Sequence, residues 1–250
     1  MALNIALIGY GKMGKAIESI ARERGHHITA IIRRQNQEEL QTLSPQNTDV
    51  AIEFTTPESA FDNIRQCLQQ QVPVVSGSTG WLEHLPEVKQ LIETHRTPFF
   101  YAPNFSIGVN LFFLVNRLTA RLMSSQPQYE VSMEEVHHIH KKDAPSGTAI
   151  RLAEDLLAYY PQKQGWALAG EAQAGQLPIE AKRIDEVPGT HIVRYRSADD
   201  QIELKHEAFS RHGFAYGAVL AAEFLAQQSA GFFGMEQLLQ SQLGISFPSL

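Results

Sequence analysis

Cys67 is the one cysteine among 250 residues, so no disulfide can close within the chain and a disulfide-stapled secreted scaffold is excluded. Basic charge is also in short supply. The 21 Lys and Arg residues against 27 Asp and Glu leave a formal charge of −6, which offers no general attraction to nucleic acid or anionic membrane, and neither is expected as a partner. No secretory leader and no apolar run near the ~18 residues of a membrane span are found; a reducing cytoplasm is the expected location. Internal repeats and low-complexity tracts are missing as well. What is there is an ordinary globular composition, 43% hydrophobic and 19% charged, in a length that suits one large domain or two of the usual ~100–200 residues.

The first hundred residues alternate between two patterns. Short apolar or β-rich runs occur at Asn4 to Ile8, Ile28 to Ile32, Val50 to Phe54, Val72 to Val75 and Pro98 to Ala102, with helix-like polar stretches between most of them. Strand–helix alternation of this kind predicts a parallel sheet. After Asn104 the texture changes. A long apolar helix is expected from Val109 to Met123, then a period-two strand from Tyr129 to Met133, and an antiparallel hairpin from His191 to Tyr195 and Gln201 to Lys205 around Ser197-Ala198-Asp199-Asp200. Helices return at Ala218 to Leu225 and Met235 to Leu239. The expectation is an α/β chain: a parallel-sheet domain, and a second, α+β domain.

Gly9-Tyr10-Gly11-Lys12-Met13-Gly14 lies between the first strand and the first helix. In that context each glycine is needed for a physical reason. The first makes a tight turn, the second lets backbone approach a pyrophosphate, and the third lets helix and strand pack closely. A glycine-rich turn that binds nothing is the competing reading. An acid that would accept ribose hydroxyls is absent from the end of the second strand, where Arg33-Arg34 stand instead. Two guanidinium groups there suit a 2′-phosphate, so NADPH is favoured over NADH, the alternative being a solvated basic pair. The later strands run into Phe54-Thr55-Thr56-Pro57, Gly77-Ser78-Thr79-Gly80 and Ala102-Pro103-Asn104-Phe105, and loops at strand carboxyl ends are where ligands of open parallel sheets lie.

The densest chemistry is in Glu134-Glu135-Val136-His137-His138-Ile139-His140-Lys141-Lys142-Asp143-Ala144-Pro145-Ser146-Gly147-Thr148. Three histidines and two lysines this close cannot all enter an apolar core. Ala149, Ile150, Ala153, Leu156, Leu157 and Tyr160 repeat at helical spacing, so a helix starts near Ser146, whose hydroxyl suits an N-cap. Its free N–H groups at Gly147 and Thr148 make a carboxylate-sized anion site, with His138 and Lys141 near in sequence. Acid chemistry on a small anion is the reading. His138-Ile139-His140 has the spacing of some metal sites, but no second ligand cluster stands out, so no metal is expected. A Ser146 nucleophile and a merely solvated basic loop are the other readings.

These residues resemble the dihydrodipicolinate reductase family, the 4-hydroxy-tetrahydrodipicolinate reductases of diaminopimelate and lysine biosynthesis, over nearly the whole chain. The most specific match is Glu135 to Thr148, read as E-x-H-H-x-x-K-x-D-A-P-S-G-T. Gly9 to Gly14, Ile52 to Thr55, Gly77 to Gly80, Ala102 to Asn110, Ser210-Arg211 and Phe214 to Gly217 support it. The resemblance implies NAD(P)H-dependent reduction of 4-hydroxy-tetrahydrodipicolinate (dihydrodipicolinate) to tetrahydrodipicolinate, with hydride delivered to C4 of the cyclic substrate and a proton to the neighbouring carbon. It implies residues 1–106 with 213–250 as a Rossmann dinucleotide-binding domain, 107–212 as a central α+β mixed-sheet domain for substrate and tetramerisation, and a homotetramer. By resemblance His137 and Lys141 are the proton-donating pair, and His138, Gly147, Thr148 and Thr79 hold the dicarboxylate. Gly9 to Gly14, Arg33, Arg34, Phe54, Thr55, Gly77, Ser78, Thr79 and Ala102 to Phe105 then hold the coenzyme.

The chain departs from the family at Ile139, where many relatives carry a basic or polar residue, and in a short segment from Gln35 to Asp49 that leaves the adenine side more open. An aspartate or homoserine dehydrogenase of like architecture, or a silent dinucleotide sensor, would not need the His137-His138 and Ser146-Gly147-Thr148 signature.

Overall fold

A computed structural model describes residues 1–210 and 212–244. Arg211 of the Ser210-Arg211 motif, and residues 245–250 of the expected coenzyme domain, lie outside the described residues. In chain order the elements are β1 (Asn4–Ile8), α1 (Lys12–Glu23), β2 (His27–Ile32), β3 (Val50–Glu53), α2 (Pro57–Gln69), β4 (Val74–Ser76), α3 (Leu85–His95), β5 (Pro98–Tyr101), α4 (Ile107–Met123) and β6 (Glu130–His137). They continue with α5 (Gly147–Leu157), β7 (Trp166–Leu168), β8 (Leu177–Arg183), β9 (Gly189–Arg196), β10 (Gln201–Ala208), α6 (His212–Leu225), β11 (Gly231–Phe233) and α7 (Met235–Leu243). Among the described residues no helix is long and apolar enough to cross a membrane.

Contacts divide the chain into two compact units, one made of Met1–Ile107 and the segment that begins at His212, the other beginning at Gly108. The first holds a six-stranded sheet in the order β11-β5-β4-β3-β1-β2, and every pairing in it is parallel. Ile5, Leu7, Ile8, Ile52, Val74, Val75, Phe99 and Phe100 are buried in it, as strands covered on both faces must be. The strand order reverses between β1 and β3, and ligands of such sheets sit outside the carboxyl ends at that switch point. The C-terminal segment returns to this unit: α6 packs along α1, where Glu223 receives Arg24 at 2.8 Å and His26 at 2.8 Å. A Cβ at Gly217 would stand 1.8 Å from the carbonyl oxygen of Phe105, so glycine there lets α6 approach the chain beyond β5.

Between β2 and β3 the short segment forms only a 3₁₀ stretch, Arg34–Thr42, in place of a full crossover helix. Asn36 shapes its start, accepting from the Arg33 N–H at 2.7 Å and donating to the carbonyl of Ile31 at 3.1 Å.

The second unit is a mixed five-stranded sheet, β10-β9-β6-β8-β7. Its hairpin β9–β10 is antiparallel and β8 runs parallel to β6. Strands β7 and β8 correct the sequence expectation, which placed too few strands here. β8 has an apolar start, Leu177-Pro178-Ile179, and then turns charged at Glu180, Lys182 and Arg183, so period-two reading fails after its first half. The apolar face of this sheet is covered from within the unit. Phe112, Ala120 and Met123 of α4 with Leu152, Ala153 and Leu156 of α5 pack on Val131, Met133, Ile179, Val193 and Tyr195, and the chain's own helices cover that face.

Candidate active site

The first unit carries a cleft of about 1120 Å³ lined by Gly9, Tyr10, Gly11, Arg33, Arg34, Phe54 and Thr55, among others. Gly9 has φ +93°, and a Cβ on it would meet the Phe54 carbonyl oxygen at 2.0 Å. A Cβ on Gly14 would meet the Gly9 carbonyl oxygen at 2.3 Å, whereas Gly11 has nothing within 4 Å. The first and third glycines thus serve close packing, and the second leaves backbone open at the cleft. That arrangement fits a dinucleotide phosphate at the start of α1. The Arg33 guanidinium lies 4.5 Å over the Tyr10 ring, and the Tyr10 hydroxyl donates to Glu18, which raises the phenol's pKa.

Lys12 is exposed on the first turn of α1 and Met13 half-buried; neither lines the cleft. At the neighbouring strand ends, a Cβ on Gly77 would stand 2.2 Å from the Phe54 ring, and the rings of Phe54 and Phe105 are 5.5 Å apart. Ala102 and Phe105 are buried, while Thr79 and Pro103 are exposed. The Asn104 side chain accepts from the Ser106 N–H at 2.9 Å. These loops are knit together by Glu53, quoted in the sequence only as part of a motif. Its fully buried carboxylate accepts from the Thr55 N–H at 2.9 Å, from Ser76 Oγ at 2.6 Å, from Ser78 Oγ at 2.8 Å and from the Thr55 hydroxyl.

In the second unit the apolar face of β6 becomes polar toward its carboxyl end: Val131 and Met133 are followed on the same face by Glu135 and His137, all buried. The Glu135 carboxylate, with no exposed side-chain surface, meets Arg183 Nη2 at 3.0 Å, His137 Nδ1 at 3.3 Å and His191 Nε2 at 3.8 Å. It also accepts from the Ser146 N–H at 3.1 Å. Burial would push its pKa up, but hydrogen bonds from His137, Ser146 and Arg183 outweigh that and hold it at about 2. Burial, and then the charge of His137, push His191 down to about 3. Glu135, His137 and His191 offer ligand atoms within 4.8 Å of one another, close enough for a metal. Arg183 and the Ser146 N–H already answer the carboxylate, however, and the set fits proton handling better.

Ser146 caps α5, its hydroxyl accepting from the Ala149 N–H at 3.2 Å. Gly147 is exposed, with nothing within 4 Å of a Cβ, so the first turn of the helix is open to an anion. Thr148 follows, half-buried. Lys141 Nζ is paired with Asp143 at 2.8 Å, and that hydrogen bond lowers the Asp143 pKa. The Nδ1 atom of His138 is buried without a hydrogen-bond partner among the described residues. Exposed His140 pairs with Glu186 at 3.0 Å, and Ile139 is exposed. Sequence reading missed Arg183 and His191, which come from β8 and β9. Their only signal was polarity at positions where β-strands should alternate.

Residues 3–105 match the family profile of the dihydrodipicolinate reductase N-terminus, and residues 108–239 that of its C-terminus. Among curated relatives, a 4-hydroxy-tetrahydrodipicolinate reductase of Christiangramia forsetii is 45% identical over 95% of this chain and 98% of its own. A protein of the same name from Lawsonia intracellularis is 34% identical, over 92% of this chain and 96% of its own. Among solved structures, dipicolinate-bound dihydrodipicolinate reductase from Paenisporosarcina sp. TG-14 superposes with a TM-score of 0.78, covering 94% of this chain and 98% of that one. Its identity of 24% makes this a likeness of fold.

Proposed function

This chain belongs to the dihydrodipicolinate reductase family, and we propose that its second unit protonates and holds the substrate while its first unit holds the coenzyme. The enzyme is a pyridine-nucleotide-dependent oxidoreductase that reduces 4-hydroxy-tetrahydrodipicolinate to tetrahydrodipicolinate in diaminopimelate and lysine biosynthesis. When bound, NAD(P)H supplies the hydride. His137 and Lys141 supply the proton to the adjacent carbon. The N–H groups of Gly147 and Thr148, with His138, hold the carboxylates of a small dicarboxylate substrate. Gly9 to Gly14, Phe54, Thr55, Gly77 to Thr79 and Ala102 to Phe105 hold the coenzyme. Arg33 and Arg34 stand where a 2′-phosphate would lie, which favours NADPH. A cytoplasmic homotetramer of coenzyme domains 1–106 with 213–250 and substrate domains 107–212 completes the reading.

The observation that carries the site assignment is the open, Ser146-capped start of α5 in the same unit as the buried Glu135-His137 pair. The test is oxidation of NADPH with freshly made dihydrodipicolinate synthase product. His137→Gln and Lys141→Ala are each expected to lower kcat by roughly 10²–10⁴-fold, the range for a lost general acid, with fold and coenzyme affinity retained. Near-normal turnover in either variant removes that residue from the acid pair.

A further inference from the structure

Side chains on the core face of the second sheet stand in registered rows. Val131 is paired with Tyr195, and Met133 lies between Val193 and Ile179, all of them buried. One row further, Glu135 lies between His191 and Ala181, with His206 beyond His191; in the next row His137 pairs with Arg183. An apolar side chain at 135 would continue the core. A fully buried carboxylate in its place is costly unless its lone pairs are answered, and here Arg183 and the Ser146 N–H bond it while His137 Nδ1 stands 3.3 Å away. Ser146 N–H starts the anion-binding helix, and His137 offers Nδ1. Arg183 reaches the carboxylate while donating to the carbonyl oxygens of Lys141 at 3.3 Å, Lys182 at 2.7 Å and Asp143 at 2.5 Å.

We propose that Glu135, clasped by Arg183, is the positioning residue of the acid site, fixing the ring of His137 and the loop from 138 to 146 that carries Lys141. Nδ1 lies 3.3 Å from the carboxylate and has no hydrogen-bond partner of its own among the described residues, so the carboxylate draws the proton to that nitrogen and leaves Nε2 as the exchanging atom, because the partner at one ring nitrogen sets the state of the other. It also stabilises the imidazolium. No other polar group among the described residues bonds the Nε2 edge, which faces Gly189: a Cβ there would lie 3.0 Å from Nε2. Glycine at 189 therefore leaves the ring its place. The inference rests on His137 and Lys141 being the acid pair. The charged and titratable groups around the carboxylate are His137 from β6, Arg183 from β8, His191 from β9, His206 from β10, and Lys141 and Asp143 from the loop.

The first measurement needs no variant. Nitrogen-15 NMR of the intact enzyme with labelled histidine, assigned by loss of the His137 resonances in His137→Gln, should show the Nδ1–H tautomer of neutral His137. The Nε2–H tautomer would overturn the proposal. Glu135→Gln should lower kcat by about 10–100-fold, the cost found for a lost partner behind a metal-bound histidine and taken here as the scale, with coenzyme Kd within about twofold. It should also shift the pH profile of kcat/KM, and Glu135→Asp should restore part of the loss. If His137→Gln is inactive while Glu135→Gln keeps the wild-type kcat and pH profile, Glu135 is only structural and the inference fails alone. If His137→Gln itself turns over normally, the acid-pair reading fails and takes the inference with it.

Discussion

Arg33 and Arg34 follow β2 directly and line the cleft beside Gly9 and Tyr10, the place where a carboxylate would select NADH. Replacing both arginines with alanine is expected to lower kcat/KM for NADPH roughly tenfold or more, the loss of at least one charge-assisted hydrogen bond, while NADH changes little. An unchanged NADPH-to-NADH ratio would remove the phosphate assignment. His191 and Glu135 give a second residue-scale expectation. Their ordinary pKa values are 6.5 and 4.5, and in the fold they titrate at about 3 and about 2. Both are depressed, so the unfolded chain binds more protons and stability falls as pH falls. The loss runs from about pH 6.5 toward 3 for His191 and from about 4.5 toward 2 for Glu135, each at most ~1.4 kcal/mol per pH unit. Thermal melts should be flat near pH 7 and decline below 6.5, and His191→Asn should flatten the part between 6.5 and 4.5. Parallel declines in the two proteins would clear His191 of the effect.

At the scale of elements, legibility followed local signal. β1 was readable to the residue, Asn4 to Ile8, because an unbroken apolar run ends there at a glycine. The start of α5 was readable because the cap, the Pro145 break and the helical repeat agree. β7 and β11 are three residues each, too short for any periodicity. Arg183 and His191 reach Glu135 only through strand pairing across the sheet, a long-range fact whose one local trace is polarity at alternating strand positions. The same helix start gives a ligand test. Pyridine-2,6-dicarboxylate should inhibit in competition with substrate, and Thr148→Val should raise its inhibition constant roughly tenfold, about one charge-assisted hydrogen bond. Competition with NADPH instead would move the anion site elsewhere; an unchanged constant would leave the carboxylate to the Gly147 and Thr148 N–H groups without the Thr148 hydroxyl.

At the scale of the whole molecule, the proposed tetramer is argued from the two faces of the second sheet. The apolar face of the second sheet is covered by α4 and α5, so that face does not call for a partner. The opposite face carries a run of ion pairs, Lys182–Glu134 at 3.1 Å, Glu134–Arg194 at 2.7 Å and Arg194–Glu203 at 2.7 Å. β10 is an edge strand with Gln201, Ile202, Glu203 and Lys205 exposed, and unpaired edges of that kind call for cover or for charge. A homotetramer built on this face by closed symmetry would be held by charged contacts, which salt screens over about 8–10 Å at physiological ionic strength. Light scattering at micromolar concentration should therefore report about four times the 27.9 kDa chain mass at low salt. Rising salt should shift the assembly toward smaller species, and Arg194→Glu should do so without salt, since it sets like charges side by side between Glu134 and Glu203. A fully active monodisperse monomer would sink the tetramer. A tetramer indifferent to both salt and Arg194→Glu would place the interface on another face.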